Sequence, residues 1–113
     1  MQQSADQPCN SLAECRQKVE EIEMRLELTA PHTFTVPILE IYMSIILAAL
    51  SALRMQATIG ETVQSRDAVR AYMRQARDDL SRAIVERCKG VTNAYVKHLT
   101  ACQQSLEQAL KYW

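Results

Sequence analysis

Residues 37–53 read PILEIYMSIILAALSAL and contain the longest apolar run of the chain, Ile41–Leu53. The polar residues Glu40, Ser44 and Ser51 fall on one narrow stripe of a helix, and apolar side chains occupy the rest of its circumference. A membrane-spanning helix needs about 20 predominantly apolar residues, so this shorter run predicts a buried helix rather than a membrane anchor. Such a helix must be covered on nearly every side.

The segments on either side of this run each carry a single apolar stripe at helical spacing, for example Leu12, Cys15, Val19, Ile22 and Leu26. Two glycines and three prolines in 113 residues disfavour a β-sandwich, which needs frequent turns. We therefore predict an all-α, antiparallel, up-down-up-down four-helix bundle in one domain over residues 1–113. The predicted helices cover residues 11–29, 37–59, 65–89 and 92–112, and residues 1–10 form a loose or disulfide-tethered N-terminal segment.

Capping residues indicate where these helices begin and end. Ser11, with a glutamate three residues later, forms a capping box for the first helix, and Ser65 is predicted to open the third. Gly90 is predicted to end the third helix, and Thr92 or Asn93 to cap the fourth. An alternative interpretation runs the third and fourth helices together through Gly90.

The apolar second helix predicts a contact with another chain. Its neighbours have one apolar stripe each and cannot cover all of its sides, and monomers rarely expose large apolar patches. Pairing of two copies through this helix is the simplest solution. The candidate contact residues are Ile41, Tyr42, Ile45 and Leu47.

A basic stripe on the third helix consists of Arg66, Arg70, Arg74 and Arg77, and the first helix carries an acidic stripe of Glu20, Glu23 and Glu27. The basic stripe is suited to phosphates or to an acidic protein partner at the rim of an interface. The simpler interpretation is a solvated face that is partly neutralised by Asp67, Asp78 and Asp79, or pairing of the two stripes within the chain. The formal net charge is zero, which argues against nucleic-acid binding.

The four cysteines are Cys9, Cys15, Cys88 and Cys102. A Cys9–Cys15 disulfide would close a short loop. A disulfide from Cys9 or Cys15 to Cys102 would join the start of the first helix to the fourth helix. The sequence does not decide between these pairings. An even cysteine count in a small chain favours a periplasmic or secreted protein, with a cytoplasmic one as the alternative. The polar N-terminus has no apolar signal segment, which fits either case.

His98 and Cys102 lie one helical turn apart, a spacing compatible with a metal site or a catalytic Cys–His pair. No Cys-x-x-Cys or His-x3-His pair accompanies them, and the sequence marks no third catalytic group. We therefore assign no catalytic residue, no cofactor and no metal, and interpret the pair as structural.

The first helix resembles that of the all-helical chorismate mutases in the pattern Leu12-x3-Arg16-x-Lys18-Val19-x2-Ile22-Glu23-x2-Leu26. The resemblance implies a small helical enzyme in which Arg16 binds a substrate carboxylate. The later basic and acidic positions of that family have no clear counterpart in the apolar second helix, so the chain is not assigned to it.

Three hypotheses about function follow from these patterns. The first is an exported helical protein that binds another protein, as an inhibitor, immunity protein or adaptor, and that forms a homodimer through the second helix without spanning a membrane. The second is a cytosolic oligomerisation or scaffold module with reduced thiols. The third is a small helical enzyme of the chorismate mutase kind.

Overall fold

The computed structural model describes residues 11–55 and 63–113. These residues form α1 (Leu12–Leu28), α2 (Val36–Met55), α3 (Val63–Lys89) and α4 (Thr92–Tyr112), with a short 3-10 helix at Pro31–Thr33 between α1 and α2. Each helix packs on the next one in the chain, and α4 packs back on α1. The predicted all-α four-helix bundle is confirmed. The predicted end of the second helix, residues 56–59, lies outside the described residues.

The core is built from the predicted apolar stripes. In α1 the buried residues are Cys15, Val19, Ile22 and Leu26; in α3 they are Val69, Met73, Ala76, Leu80 and Ala83; in α4 they include Tyr95, Leu99, Cys102 and Leu106. Each set recurs every three or four residues, so it forms one line along its helix. The spacing of apolar residues therefore identified the inner face of these three helices correctly.

The starts of α1 and α4 follow the predicted bounds, whereas the start of α3 does not. The Ser11 hydroxyl accepts a hydrogen bond from the Glu14 backbone N–H at 3.1 Å. Ser65 lies inside α3, which already includes Val63, so the prediction that it opens the helix is wrong.

A glycine turn separates α3 from α4. Gly90 has φ +82°, its N–H donates to the Arg87 carbonyl, and the Val91 N–H donates to the Glu86 carbonyl. These two hydrogen bonds satisfy carbonyls in the last turn of α3 and end the helix. The alternative interpretation, in which the third and fourth helices form one continuous helix, is therefore wrong. Val91 is also the N-cap of α4 and makes no side-chain cap bond. Thr92 and Asn93 both lie inside α4, so their predicted role as the cap of this helix is wrong.

The linker between α1 and α2 is held against α3 and α4 by long-range hydrogen bonds. The Tyr95 hydroxyl donates to the Pro31 carbonyl at 2.6 Å. Arg87 donates to the Phe34 carbonyl at 2.8 Å, and its guanidinium lies 5.1 Å from the centre of the Tyr95 ring. The Phe34 ring is buried and meets Tyr42 edge to face. These contacts fix the position at which α2 begins.

Candidate partner-binding surface

α2 buries one face and exposes the other. Its buried residues are Leu39, Tyr42, Ile46, Ala49 and Leu53. Only 28% of its most apolar 18-residue stretch is buried, so the bundle by itself does not cover nearly every side of the helix. The reason is its place in the bundle: α2 lies between α1 and α3, and these two neighbours cover its flanks but not its outer face.

The exposed face of α2 contains some of the predicted contact residues. Ile41 is 57% exposed and Leu47 is 47% exposed. Ile45 is half-buried and packs against the core. Tyr42 is only 8% exposed; it lies one helical turn from Leu39 and shares its inner face, so its prediction as a contact residue is wrong.

A groove of about 200 Å³ runs between α2 and α3 beside this face. Its lining consists of Leu47, Leu50, Ser51, Arg54, Arg70, Arg74 and Arg77. We call it the arginine groove. α2 provides its apolar part together with Arg54, and α3 provides the other three arginines.

The lining of the arginine groove contains cationic groups and no carboxylate. Arg70 pairs with Asp67 at 2.9 Å and Arg77 pairs with Asp78 at 3.1 Å, and both aspartates are exposed residues of α3 itself. The Nε of Arg70 is buried and makes no hydrogen bond. Arg54 and Arg74 are exposed groove residues, so the groove has cationic hydrogen-bond donors available for an anionic group.

The basic stripe of the sequence is divided between two places. Arg70, Arg74 and Arg77 line the arginine groove, whereas Arg66 lines a cavity of about 210 Å³ at the end of the bundle, together with Leu12, Val69 and Trp113. Sequence reasoning missed Arg54 because it lies on another helix. The only signal for it was its position one helical turn after Leu50, immediately following the apolar run.

The acidic stripe of α1 does not neutralise the arginine groove within the chain. α1 packs on α2 and α4 and lies diagonally across the bundle from α3. Glu20 pairs with Arg16 on its own helix at 3.6 Å, and Glu23 accepts a hydrogen bond from Gln103 of α4 at 2.6 Å. None of the ion pairs described for the groove arginines reaches α1, so the predicted pairing of the two stripes is wrong there.

Burial raises the pKa of Glu23 above its ordinary value, and the charges of Glu27 and Glu107 raise it further, although the hydrogen bond from Gln103 opposes this. The folded protein therefore holds this proton to a higher pH than the unfolded chain does. It follows that the contribution of Glu23 to stability falls as the pH rises from the ordinary glutamate pKa through the raised one.

Replacing Glu23 by glutamine should accordingly raise the urea midpoint at pH 7, because the variant removes a partly buried charge near Glu27 and Glu107 and keeps a hydrogen-bond acceptor for Gln103. The gain should disappear below the ordinary glutamate pKa of about 4.3, where both side chains are neutral. Glu40→Gln on the exposed face of α2 is the matched control and should change neither midpoint. An equal gain for Glu23→Gln at both pH values would contradict the assignment.

The structure places His98 and Cys102 in different surroundings. His98 Nδ1 lies 3.6 Å from a carboxylate oxygen of Asp79, a partner that sequence reasoning missed. Cys102 is buried, and desolvation, with a smaller effect from Asp79, raises the pKa of its thiol strongly. Because the thiolate is the nucleophile, this environment disfavours a catalytic cysteine. Within the described part of the chain, no three potential metal ligands converge.

The cysteine pairings that involve Cys102 are wrong, because Cys88 and Cys102 are free thiols. Cys102 lies inside the bundle among apolar side chains, where it packs as a small hydrophobic residue. Cys15 is disulfide-bonded. The pairing of Cys15 with Cys9 falls outside the described residues and stays a prediction.

No protein family, curated protein or solved structure shows significant similarity to this chain. α2 is long and apolar enough to cross a membrane by length and composition alone, a criterion that core helices of soluble proteins also meet. Arg16, which carried the resemblance to the chorismate mutases, lies on the surface in its ion pair with Glu20.

Proposed function

We propose that this protein acts by binding another protein through the exposed face of α2, and that a second copy of the chain is its first partner. The class of function is that of an inhibitor, immunity protein or adaptor. One observation carries the proposal: α2 exposes large apolar side chains directly beside the arginine groove. Interfaces combine apolar anchors with arginine in this way, the anchors supplying most of the affinity.

Export to the periplasm or the extracellular medium is the location we propose. Its support is the disulfide bond of Cys15, since disulfides persist in oxidising compartments. A cytosolic scaffold with reduced thiols is the alternative. Intact mass of protein purified without reductant separates the two, because one disulfide makes the chain about 2 Da lighter than its reduced form.

Sedimentation equilibrium at micromolar concentration tests the proposed binding surface. We expect the wild type to be dimeric. Ile41→Lys should raise the dissociation constant by more than about tenfold, since it places a charge on an exposed apolar contact. Val91→Lys is the matched control: Val91 is also exposed and apolar but lies in the α3–α4 turn, so this variant should dimerise like the wild type.

Two results would overturn the proposal. One is a strict monomer that also fails to bind 8-anilinonaphthalene sulfonate, which would show that the bundle needs no partner at α2. The other is a monomer that co-sediments with phosphatidylcholine vesicles and loses this property in Ile41→Lys, which would assign the exposed face to lipid.

A further inference from the structure

The arginine groove presents exposed cations from two different helices. Arg54 lies in the last turn of α2, and Arg74 lies in α3. Both residues are exposed, and both line the groove. A guanidinium group binds carboxylate oxygens through parallel hydrogen bonds, so two of them in one groove suit an anionic ligand with several oxygen atoms.

The other two arginines of the groove retain part of their capacity to donate hydrogen bonds. Arg70 reaches Asp67 through a terminal guanidinium nitrogen at 2.9 Å, and Arg77 reaches Asp78 through its Nε at 3.1 Å. The Nε of Arg70 is buried and makes no hydrogen bond. Buried donors of this kind are uncommon in native proteins, and a bound ion or water is a frequent explanation for them. The ion pairs within α3 therefore do not use all of the donors in the groove wall.

Two aspartates limit the length of an anionic ligand along α3. Asp67 precedes the groove arginines of this helix, Asp78 follows them, and both aspartates are exposed. They are separated by about three helical turns, or about 16 Å. A long polyanion that followed α3 would meet one of these carboxylates, and like charges oppose association. The groove therefore fits one or two anionic groups rather than a continuous run of them.

The apolar part of the groove indicates what accompanies the anionic group. Leu47 and Leu50 line the groove, and Leu47 is also 47% exposed on the outer face of α2. An apolar group of the ligand is needed to cover Leu47, and an inorganic ion cannot provide one. We infer that the arginine groove binds an acidic segment of a protein partner, in which carboxylates pair with Arg54 and Arg74 and a neighbouring apolar side chain covers Leu47.

This inference rests on the proposed function, because the groove borders the surface through which the protein is proposed to bind its partner. A short peptide of glutamate and leucine is the probe, and the same peptide with glutamine at every glutamate is its control. Each is titrated into the ¹⁵N-labelled protein, and the arginine Nε–H signals are followed by NMR. We expect saturable shifts at Arg54 and Arg74 with the glutamate peptide, which should weaken at high salt. The glutamine peptide should bind about tenfold or more weakly, since it lacks the charges.

Substitutions of exposed arginines test whether the groove itself binds the peptide. Arg54→Gln and Arg74→Gln should each raise the dissociation constant of the glutamate peptide by about threefold or more, as expected for the loss of an exposed ion pair. Arg82→Gln is the matched control. Arg82 is also exposed on α3, but it pairs with Asp79 and does not line the groove, so this variant should bind like the wild type.

The possible results separate this inference from the proposed function. Equal binding of the two peptides, absence of saturable shifts, or an equal loss in Arg82→Gln would overturn the inference. Tighter binding of inorganic phosphate than of the glutamate peptide, at the same ionic strength, would also overturn it and assign the groove to phosphate groups. A wild-type dimer whose groove fails these tests would leave the proposed function intact. A strict monomer that binds no 8-anilinonaphthalene sulfonate but does bind the glutamate peptide would overturn pairing through α2 and support the groove as a separate site.

Discussion

Replacing Ile46 by alanine is expected to lower the free energy of unfolding by about 2–5 kcal/mol. Ile46 is 0% exposed at the centre of the inner face of α2, where it packs with Leu39 and Leu53 in the core. The truncation removes buried apolar area and leaves a cavity that the neighbouring helices can fill only in part. Urea denaturation followed by circular dichroism measures the loss.

Two other positions on α2 provide the comparison. Ser44→Ala should change stability by less than about 0.5 kcal/mol, since Ser44 is exposed and its hydroxyl bonds only to the Glu40 carbonyl one turn earlier. Leu50→Ala should fall between the two, because Leu50 is half-buried at the arginine groove. Equal losses for all three variants would contradict the orientation of α2.

Replacing Tyr95 by alanine is expected to cost about 3–5 kcal/mol, the range for removing a buried aromatic ring. The Tyr95 ring is buried in α4 beneath the Arg87 guanidinium, and its hydroxyl holds the linker through the Pro31 carbonyl. The same denaturation experiment measures the effect. Loss of the ring removes both the packing of α4 and the anchor of the linker.

Tyr95→Phe separates these two contributions. It retains the ring and removes only the hydroxyl, so it should cost about 1–2 kcal/mol for a lost hydrogen bond that leaves a part-buried carbonyl unpaired. If the phenylalanine variant were as unstable as the alanine variant, the hydrogen bond and not the packing would be the main role of Tyr95.

The number of helices and their approximate bounds could be predicted because each stripe of apolar residues recurs at the helical period. The orientation of α2 could be predicted from its polar stripe. Glu40, Ser44 and Ser51 are all exposed, and the buried residues lie on the opposite side of the helix. Tyr42 lies opposite this stripe and is buried, whereas Ile41 lies nearer to it and is exposed.

The candidate site was predictable only within one helix. The spacing of Arg70, Arg74 and Arg77 places them on one face of α3 without further information. Their association with Arg54 requires knowing that α2 packs beside α3. Arg66 has the same spacing, yet it lies one turn nearer the end of the bundle, where the neighbouring side chains belong to a different cavity.

The two free thiols differ in solvent exposure, so one of them can be labelled selectively for spectroscopy. Cys102 is shielded inside the bundle and its thiolate is disfavoured, whereas Cys88 is exposed in the last turn of α3. Of these two, a nitroxide or fluorophore reagent therefore modifies Cys88. In a dimer with a two-fold axis parallel to the helices, both labels lie at the same end of the particle. With a perpendicular axis they lie at opposite ends, separated by up to the length of α3, about 40 Å for its 27 residues. The distance between the labels of the two copies therefore distinguishes a parallel from a perpendicular two-fold axis.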